Sequence, residues 1–252
     1  MNPSEFTYLA AAEERMWWFR GMRRILFGLL DPEARRRAIR RAVECGCGTG
    51  HFARQAEGRY GWEVTALDLD HSGLTYARRA GLARLAQGDL ARLPFPSGAF
   101  DAALALDVLA HFAPGAEAQA LAELARVLRP GGLLVLRTAA FSWLRSRHSE
   151  WVGERQRIAL GRLTSLAGEA GFRAVRATYA NTLLLPVALA KFRLVEPLLK
   201  MPPASGLRVG PAWLEAPLYA ALAAESWWIA RGGSLPVGQS AILLAEKMEP
   251  GR

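Results

Sequence analysis

The residues of this chain with chemistry to offer are a run of glycines, a series of aspartates behind it, four histidines and two cysteines. The glycines stand in Val43-Glu44-Cys45-Gly46-Cys47-Gly48-Thr49-Gly50-His51, where an apolar segment runs into G-x-G-x-G. Glycine allows a tight turn and lets a ligand approach where a Cβ would clash, so a strand entering such a loop is a nucleotide-binding arrangement. The dinucleotide spacing G-x-G-x-x-G requires glycine where His51 stands, so the match is to the shorter spacing. Asp68 follows Gly50 by eighteen residues, where a carboxylate can accept bonds from both ribose hydroxyls. Gly88-Asp89 then places an acceptor near an adenine amino group, and Asp107 lies after a further apolar run. Each acid has a plainer reading as the cap of a strand end.

Cys45 and Cys47 form one C-x-C, and no ligand-spaced partner lies near them in sequence. A metal site needs more ligands than that, so no metal is expected. Cys45 fills an apolar slot and Cys47 is a small residue between two glycines. Among the histidines, His51 and His71 fall on the nucleotide side of the pattern or in solvent. His111 and His148 follow later apolar runs, where either one can take a proton from an acceptor hydroxyl or amine. A pocket-lining or surface role is the alternative for both.

Elements must position these residues. Residues 5 to 30 read as one helix with an irregular apolar face, and Asp31-Pro32 as the N-cap and first position of a second, basic helix ending near Arg41. Alternation follows, with strands at RAVECG, 62–68, 83–87, 100–109 and LLVLRTA, the last entered by a sharp turn at Pro130-Gly131-Gly132. Helices fall after the glycine loop, at 71–80 and at 116–128, and a helix closed by Gly171 precedes the strand RAVRATYA. Strands alternating with helices predict an α/β fold with a mostly parallel sheet covered on both faces and right-handed crossovers. The stretch 181–236 is too long for a connection and reads as a helical insertion, a lid or an oligomer contact, before a final strand in GQSAILLAEK. One domain is expected: a helical cap at 1–41, a core at 42–180, the insertion at 181–236, and a last strand and tail at 237–252.

Composition bounds the setting. The chain is 51% apolar with a net charge of +9, largely from arginines spread through it. Two cysteines separated by one residue make no disulfide framework, so a reducing cytoplasm is expected. The first residues lack the pattern of a secretory signal, and 182–190 is too short to span a bilayer. The arginine clusters at 20–24 and 35–41 read as solvated helix faces, with an anionic partner such as a phospholipid surface as the alternative. Peripheral contact with a membrane is compatible with this charge, and nucleic acid is disfavoured because no appended binding module is present. Trp17, Trp18 and Phe19, with Arg137 and Trp143, are the candidate acceptor pocket; a buried helix face is the competing reading of the first three.

Taken in order, the glycine loop, Asp68, Gly88-Asp89, LPFPSGAFDAALALDVLAHF and LAELARVLRPGGLLVLRT resemble the class I S-adenosylmethionine-dependent methyltransferases, in their small-molecule, type 11-like group. The resemblance spans roughly residues 40 to 180. It implies a Rossmann-like sheet of seven strands with the last antiparallel, which suits the C-terminal apolar strand. It further implies that Glu44, Gly46, Cys47, Gly48 and Gly50 hold the methionine part of S-adenosylmethionine, Asp68 and Leu69 the ribose, and Asp89 and Leu90 the adenine. Asp107 would lie near the reacting methyl. The flanks EERMWWFRGMRRIL, SWLRSRHSEWVGERQR and LPVGQSAILLAEK resemble a narrower bacterial subgroup often found beside glycan, lipid or natural-product pathways; Ser149 stands where that subgroup commonly has aspartate.

The implied reaction moves a methyl group from a sulfonium to a small, partly apolar acceptor, leaving S-adenosylhomocysteine. The protein mainly aligns the partners and excludes water, with a base needed only when the acceptor retains a proton. Three rivals remain. A nicotinamide oxidoreductase is disfavoured by the glycine spacing, and a nucleic-acid methyltransferase by LDVLAHF after the fourth strand. A binding protein without transfer would keep the same glycines and acids.

Overall fold

The computed structural model describes residues 5–249, so the extreme ends of the expected cap and tail lie outside it. Seven strands form one sheet in the order β3-β2-β1-β4-β5-β7-β6. They are β1 Arg41–Cys45, β2 Glu63–Asp68, β3 Leu85–Gln87, β4 Phe100–Leu106, β5 Leu128–Ala139, β6 Phe172–Ala180 and β7 Ser240–Lys247. Strands β1 to β5 pair in parallel, while β7 runs antiparallel between β5 and β6. This is the Rossmann-like α/β sheet with a reversed last strand that the sequence implied. Strands β1 and β4 are buried along nearly their whole length, which suits central strands covered on both faces. After β1 the chain builds outward to β3, then returns to place β4 on the other side of β1. Loops diverge at such a reversal and open a crevice at the carboxyl ends of the strands.

The helices are α1 Glu5–Ala12, α2 Trp17–Arg36, α3 His51–Tyr60, α4 His71–Arg79, α5 Glu117–Val127, α6 Arg147–Trp151, α7 Leu160–Glu169, α8 Leu185–Ala190, α9 Glu196–Leu198 and α10 Ala212–Ala230. One apolar layer sets Leu121, Leu124 and Leu163 of α5 and α7 against the sheet. The opposite layer holds Met22, Ile25 and Leu26 of α2 with Leu222 and Ile229 of α10. Gly21 lies so close to α10 that a Cβ there would come within 2.3 Å of Leu222. No helix among the described residues is long and apolar enough to cross a membrane.

Four local expectations are corrected. The single helix over 5–30 is two, α1 and α2, because residues 13–16 are drawn into other bonds. There Glu13 accepts from the Thr49 hydroxyl, its carbonyl accepts from Arg23 at 3.0 Å, and the Trp17 N–H donates to Glu215 at 2.5 Å. Asp31-Pro32 does not begin a helix; α2 runs through it and ends at Arg36 rather than near Arg41. The Asp31 carboxylate is taken by Arg59 at 2.6–2.8 Å and by Tyr60 at 2.8 Å, so it does not cap. Leu29, Leu30 and Glu33 are buried around the proline, and that burial offsets the missing donor. Pro130-Gly131-Gly132 is a bulge inside β5 rather than a turn before it, since Phe100 pairs with Leu128 and Ala102 with Leu133. Val108 and Leu109 leave β4 for a 3₁₀ turn, Val108–His111, because Asp107 takes a left-handed φ of 63°.

Candidate functional site

A cavity of about 910 Å³ opens where the carboxyl ends of β1, β2 and β4 meet. Nine of the ten residues assigned to cofactor binding line it: Glu44, Gly46, Cys47, Gly48, Asp68, Leu69, Asp89, Leu90 and Asp107. His111, His148, Trp18, Phe19 and Arg137 line it too. Gly50, Trp17 and Trp143 do not. A Cβ at Gly50 would come within 2.7 Å of Leu82 and Ala77, so this glycine serves the packing of the loop on α4. Trp143 stacks on Phe141 at 5.2 Å. Trp17 is held through its backbone by Glu215.

The glycine loop is wound across the end of β2. Gly46 and Cys47 donate their N–H groups to the Leu67 carbonyl at 2.8 and 3.0 Å, and Gly48 donates to Asp68 Oδ2 at 2.8 Å. Gly46 and Gly48 have φ of 71° and 56°, the region that penalises any side chain. Nothing stands within 4 Å of a Cβ built on Gly48, so that face is open to a ligand. Asp68 Oδ1 accepts from the Asp70 N–H at 2.9 Å. The strand-end cap and the candidate ligand acceptor are therefore the same carboxylate, which already takes backbone N–H groups. Burial raises its pKa. Asp89 also serves its own turn, accepting from the Ala91 N–H at 2.8 Å.

Glu44 is 3% exposed, and its Oε2 has no hydrogen-bond partner. Burial pushes its pKa up to about 8, with the Ala53 N–H in the first turn of α3 opposing the shift. A buried carboxylate without a cation is held protonated, and a cation arriving in the cavity would recover the charge. Asp107 is engaged by Arg137, whose Nη2 lies 2.5 Å from Oδ2, and the guanidinium stands 5.1 Å from the Trp18 ring centre. The two cysteines are buried and free, and burial drives both thiols up, so neither is a nucleophile at neutral pH. Among the described residues no group of three or more His, Cys, Asp or Glu could hold a metal ion.

Both candidate bases are held neutral by burial. His148 Nδ1 accepts from the Gly206 N–H at 3.1 Å. An amide can only donate, so the neutral ring carries its proton on Nε2 and has no free lone pair. His111 faces the Gly153 backbone, which favours a ring N–H there and leaves the second nitrogen as acceptor. Ser149 sits in a reciprocal cap with Ser146 and accepts from Arg157 at 2.7 Å. It is buried and off the cavity wall, so the departure from aspartate at this position bears on the local cap.

Sequence reasoning missed the charged residues that α1 and α2 bring to the cavity. Arg23 and Glu13 line it, and Arg23 Nη1 lies 2.8 Å from His51 Nε2. Glu5, buried in α1, accepts from Trp151 Nε1 at 2.7 Å and from Ser205 at 3.1 Å. Arg23 belongs to the 20–24 cluster read as a solvated helix face, and its place on the cavity corrects that reading for this residue, because α1 and α2 reach the loop through packing rather than local pattern.

Known proteins share part of this sequence and this fold. A model of the methyltransferase-domain family matches residues 43–136, from β1 into β5. A malonyl-[acyl-carrier protein] O-methyltransferase of Serratia marcescens is 35% identical over 156 residues, covering 60% of each chain. A sterol 24-C-methyltransferase of Gibberella zeae is 34% identical over 112 residues, 41% of this chain and 28% of the relative. The chain thus spans about 60% or less of the curated relatives it matches. In structure, an S-adenosylmethionine-dependent methyltransferase of Mesorhizobium loti superposes with a TM-score of 0.56 at 20% identity, over 86% of this chain and 97% of the other. Its fold is the same. Residues 43–136 thus match a methyltransferase domain, and the glycine loop, acids and sheet order around them are similar to those of the class I S-adenosylmethionine-dependent methyltransferases.

Proposed function

We propose that this chain transfers a methyl group from S-adenosylmethionine to a small, partly apolar acceptor by in-line displacement. The observation that carries the reading is Glu44: a buried carboxyl whose Oε2 has no hydrogen-bond partner, beside an open glycine face, in a cavity that suits a cationic ligand. S-adenosylmethionine supplies an ammonium, a ribose, an adenine and an activated methyl on sulfur. Glu44 and the Gly46–Gly48 turn would hold the amino-acid end, with Arg23 available to its carboxylate. Asp68 would accept from the ribose hydroxyls, and Leu69 and Leu90 would pack on the base with Asp89 at its edge. Arg137 fixes Asp107 at the wall of the cavity, on the side where the acceptor would stand.

Phe6, Leu9, Trp18, Phe19, Phe112 and Leu207 line the remainder, which favours an acceptor with apolar surface. Relatives named for a malonyl-acyl carrier protein and for a sterol are in keeping with that class. Where the acceptor keeps its proton, His111 is the base, because its ring retains a lone pair and His148 does not. We assign the 181–236 insertion to the wall of this cavity, through Leu207, and to the packing of α10 on α2.

Calorimetry with S-adenosylmethionine, S-adenosylhomocysteine and NADH tests the cofactor. The first two should bind and NADH should not; absence of adenosylmethionine binding, or an Asp68→Ala variant that binds it equally well, would overturn the reading. A labelled-methyl screen over quinones, prenyl lipids, sugars and phenolics then identifies the acceptor, with His111→Ala expected to lose turnover and His148→Ala to retain more of it.

A further inference from the structure

The segment between β6 and α10, with the first turn of α10, carries exposed apolar and basic side chains that the cofactor reading does not use. Leu194 is 65% exposed, Leu198 81% and Trp213 77%. Large side chains at that exposure, borne on a short stretch of chain, are apolar surface of the kind that marks an interaction site when it gathers into a patch. Charge is distributed in one direction. From residue 183 to 215 the acids are Glu196 and Glu215, and both are buried and turned inward. Glu196 accepts from the Arg147 N–H at 3.0 Å, and Glu215 from Gly210 at 2.8 Å and Trp17 at 2.5 Å. The cations Lys191, Arg193, Lys200 and Arg208 are all exposed, and the last three make no ion pair with a described carboxylate. The exposed charges of this stretch are therefore all cationic.

Two occupants fit an apolar face. A second copy of this chain, meeting it through a two-fold axis, would set the same cations against each other. An anionic bilayer would neutralise them while taking up the leucines and the tryptophan, which is the balance of an interfacial anchor. No helix among the described residues is long and apolar enough to cross a membrane, and the contact proposed is one in the plane of the interface. The surface is also joined to the cavity: Gly206 bonds His148, Ser205 bonds Glu5, and Leu207 lines the cavity wall. We propose that residues 187–213 dock this protein on an anionic membrane surface, with the strap at 205–207 setting the cavity beside the lipid headgroups.

The test uses the full chain and vesicles of phosphatidylglycerol with phosphatidylcholine, against phosphatidylcholine alone. Co-sedimentation should favour the anionic vesicles by at least about tenfold and weaken as salt is raised. The pair Leu198→Asp with Trp213→Asp, and separately the pair Arg193→Glu with Arg208→Glu, should each lower binding about tenfold. All four positions are exposed, and melting temperature checks each variant, so one pair suffices should the other misfold. Adenosylmethionine affinity should be unchanged in both pairs, which separates failure of the docking surface from failure of the cofactor reading. The proposal is overturned if anionic vesicles do not bind at low salt, or if binding survives both pairs. It is equally overturned if sedimentation velocity reveals a dimer that the Leu198→Asp and Trp213→Asp pair dissolves.

Discussion

Glu44 is the residue at which burial and ionisation oppose each other most directly. In the unfolded chain it ionises near the ordinary glutamate value, and in the folded protein only near 8. Between those values the unfolded state carries fewer protons, so stability falls as pH rises through that window and levels off above it. Glu44→Gln removes this titration. Thermal melts without ligand should find the variant more stable than wild type at pH 8.5 by about 1–3 kcal/mol, with the gap closing towards pH 4.5. Its affinity for S-adenosylmethionine should nevertheless fall by roughly tenfold or more, the loss of one charge-assisted contact. A wild-type melting temperature that does not change between pH 5 and 8 would exclude a buried, proton-holding Glu44. The cysteines predict the opposite behaviour. Cys45→Val with Cys47→Ala should leave cofactor affinity within about tenfold, ~1.4 kcal/mol, by calorimetry, since neither sulfur meets a metal or ionises. A larger loss would give Cys47, on the cavity wall, a direct role.

At the scale of elements, α10 behaves as part of the body rather than as a loose flap. It packs along α2 through Gly21 and Leu222, and Leu222 is fully buried there. Leu222→Ala should cost about 2–5 kcal/mol, read as a fall in melting temperature of roughly 5–15 °C. Leu222 does not line the cavity, so adenosylmethionine affinity measured well below the transition should stay within about threefold. Affinity that drops in step with stability would mean that α2 and α10 open together when ligand enters. The break between α1 and α2 belongs to the same scale, because Glu13 in that break bonds Thr49 of the glycine loop. The N-terminal helices therefore bear on the loop directly.

For the whole molecule, a ligand that binds only the folded state stabilises it by mass action. S-adenosylmethionine at one hundred times its Kd should add about 2.7 kcal/mol, a rise in melting temperature of roughly 5–10 °C, and NADH should add none. Equal shifts with both would return the site to a general nucleotide cradle. The parallel sheet, the G-x-G-x-G turn and the positions of Asp68 and Asp89 were legible in the sequence because each is a local pattern. Alternation sets a strand, a glycine sets a left-handed turn, and an acid at a strand end points into the crevice whatever lies elsewhere. The course of α2 through Pro32 was not legible, since its cause is Asp31 bonding Arg59 and Tyr60 from a different element. The parts of the site supplied by distant segments were equally hidden: Arg23 beside His51, Gly206 occupying His148, and Arg157 holding Ser149. The sequence by itself determined the sheet and the cofactor side of the cavity. Only the tertiary structure decided which histidine keeps a lone pair, which buried carboxyl oxygen lacks a partner and which apolar face stays uncovered, because those depend on contacts between residues tens to hundreds of positions apart, which no local spacing encodes.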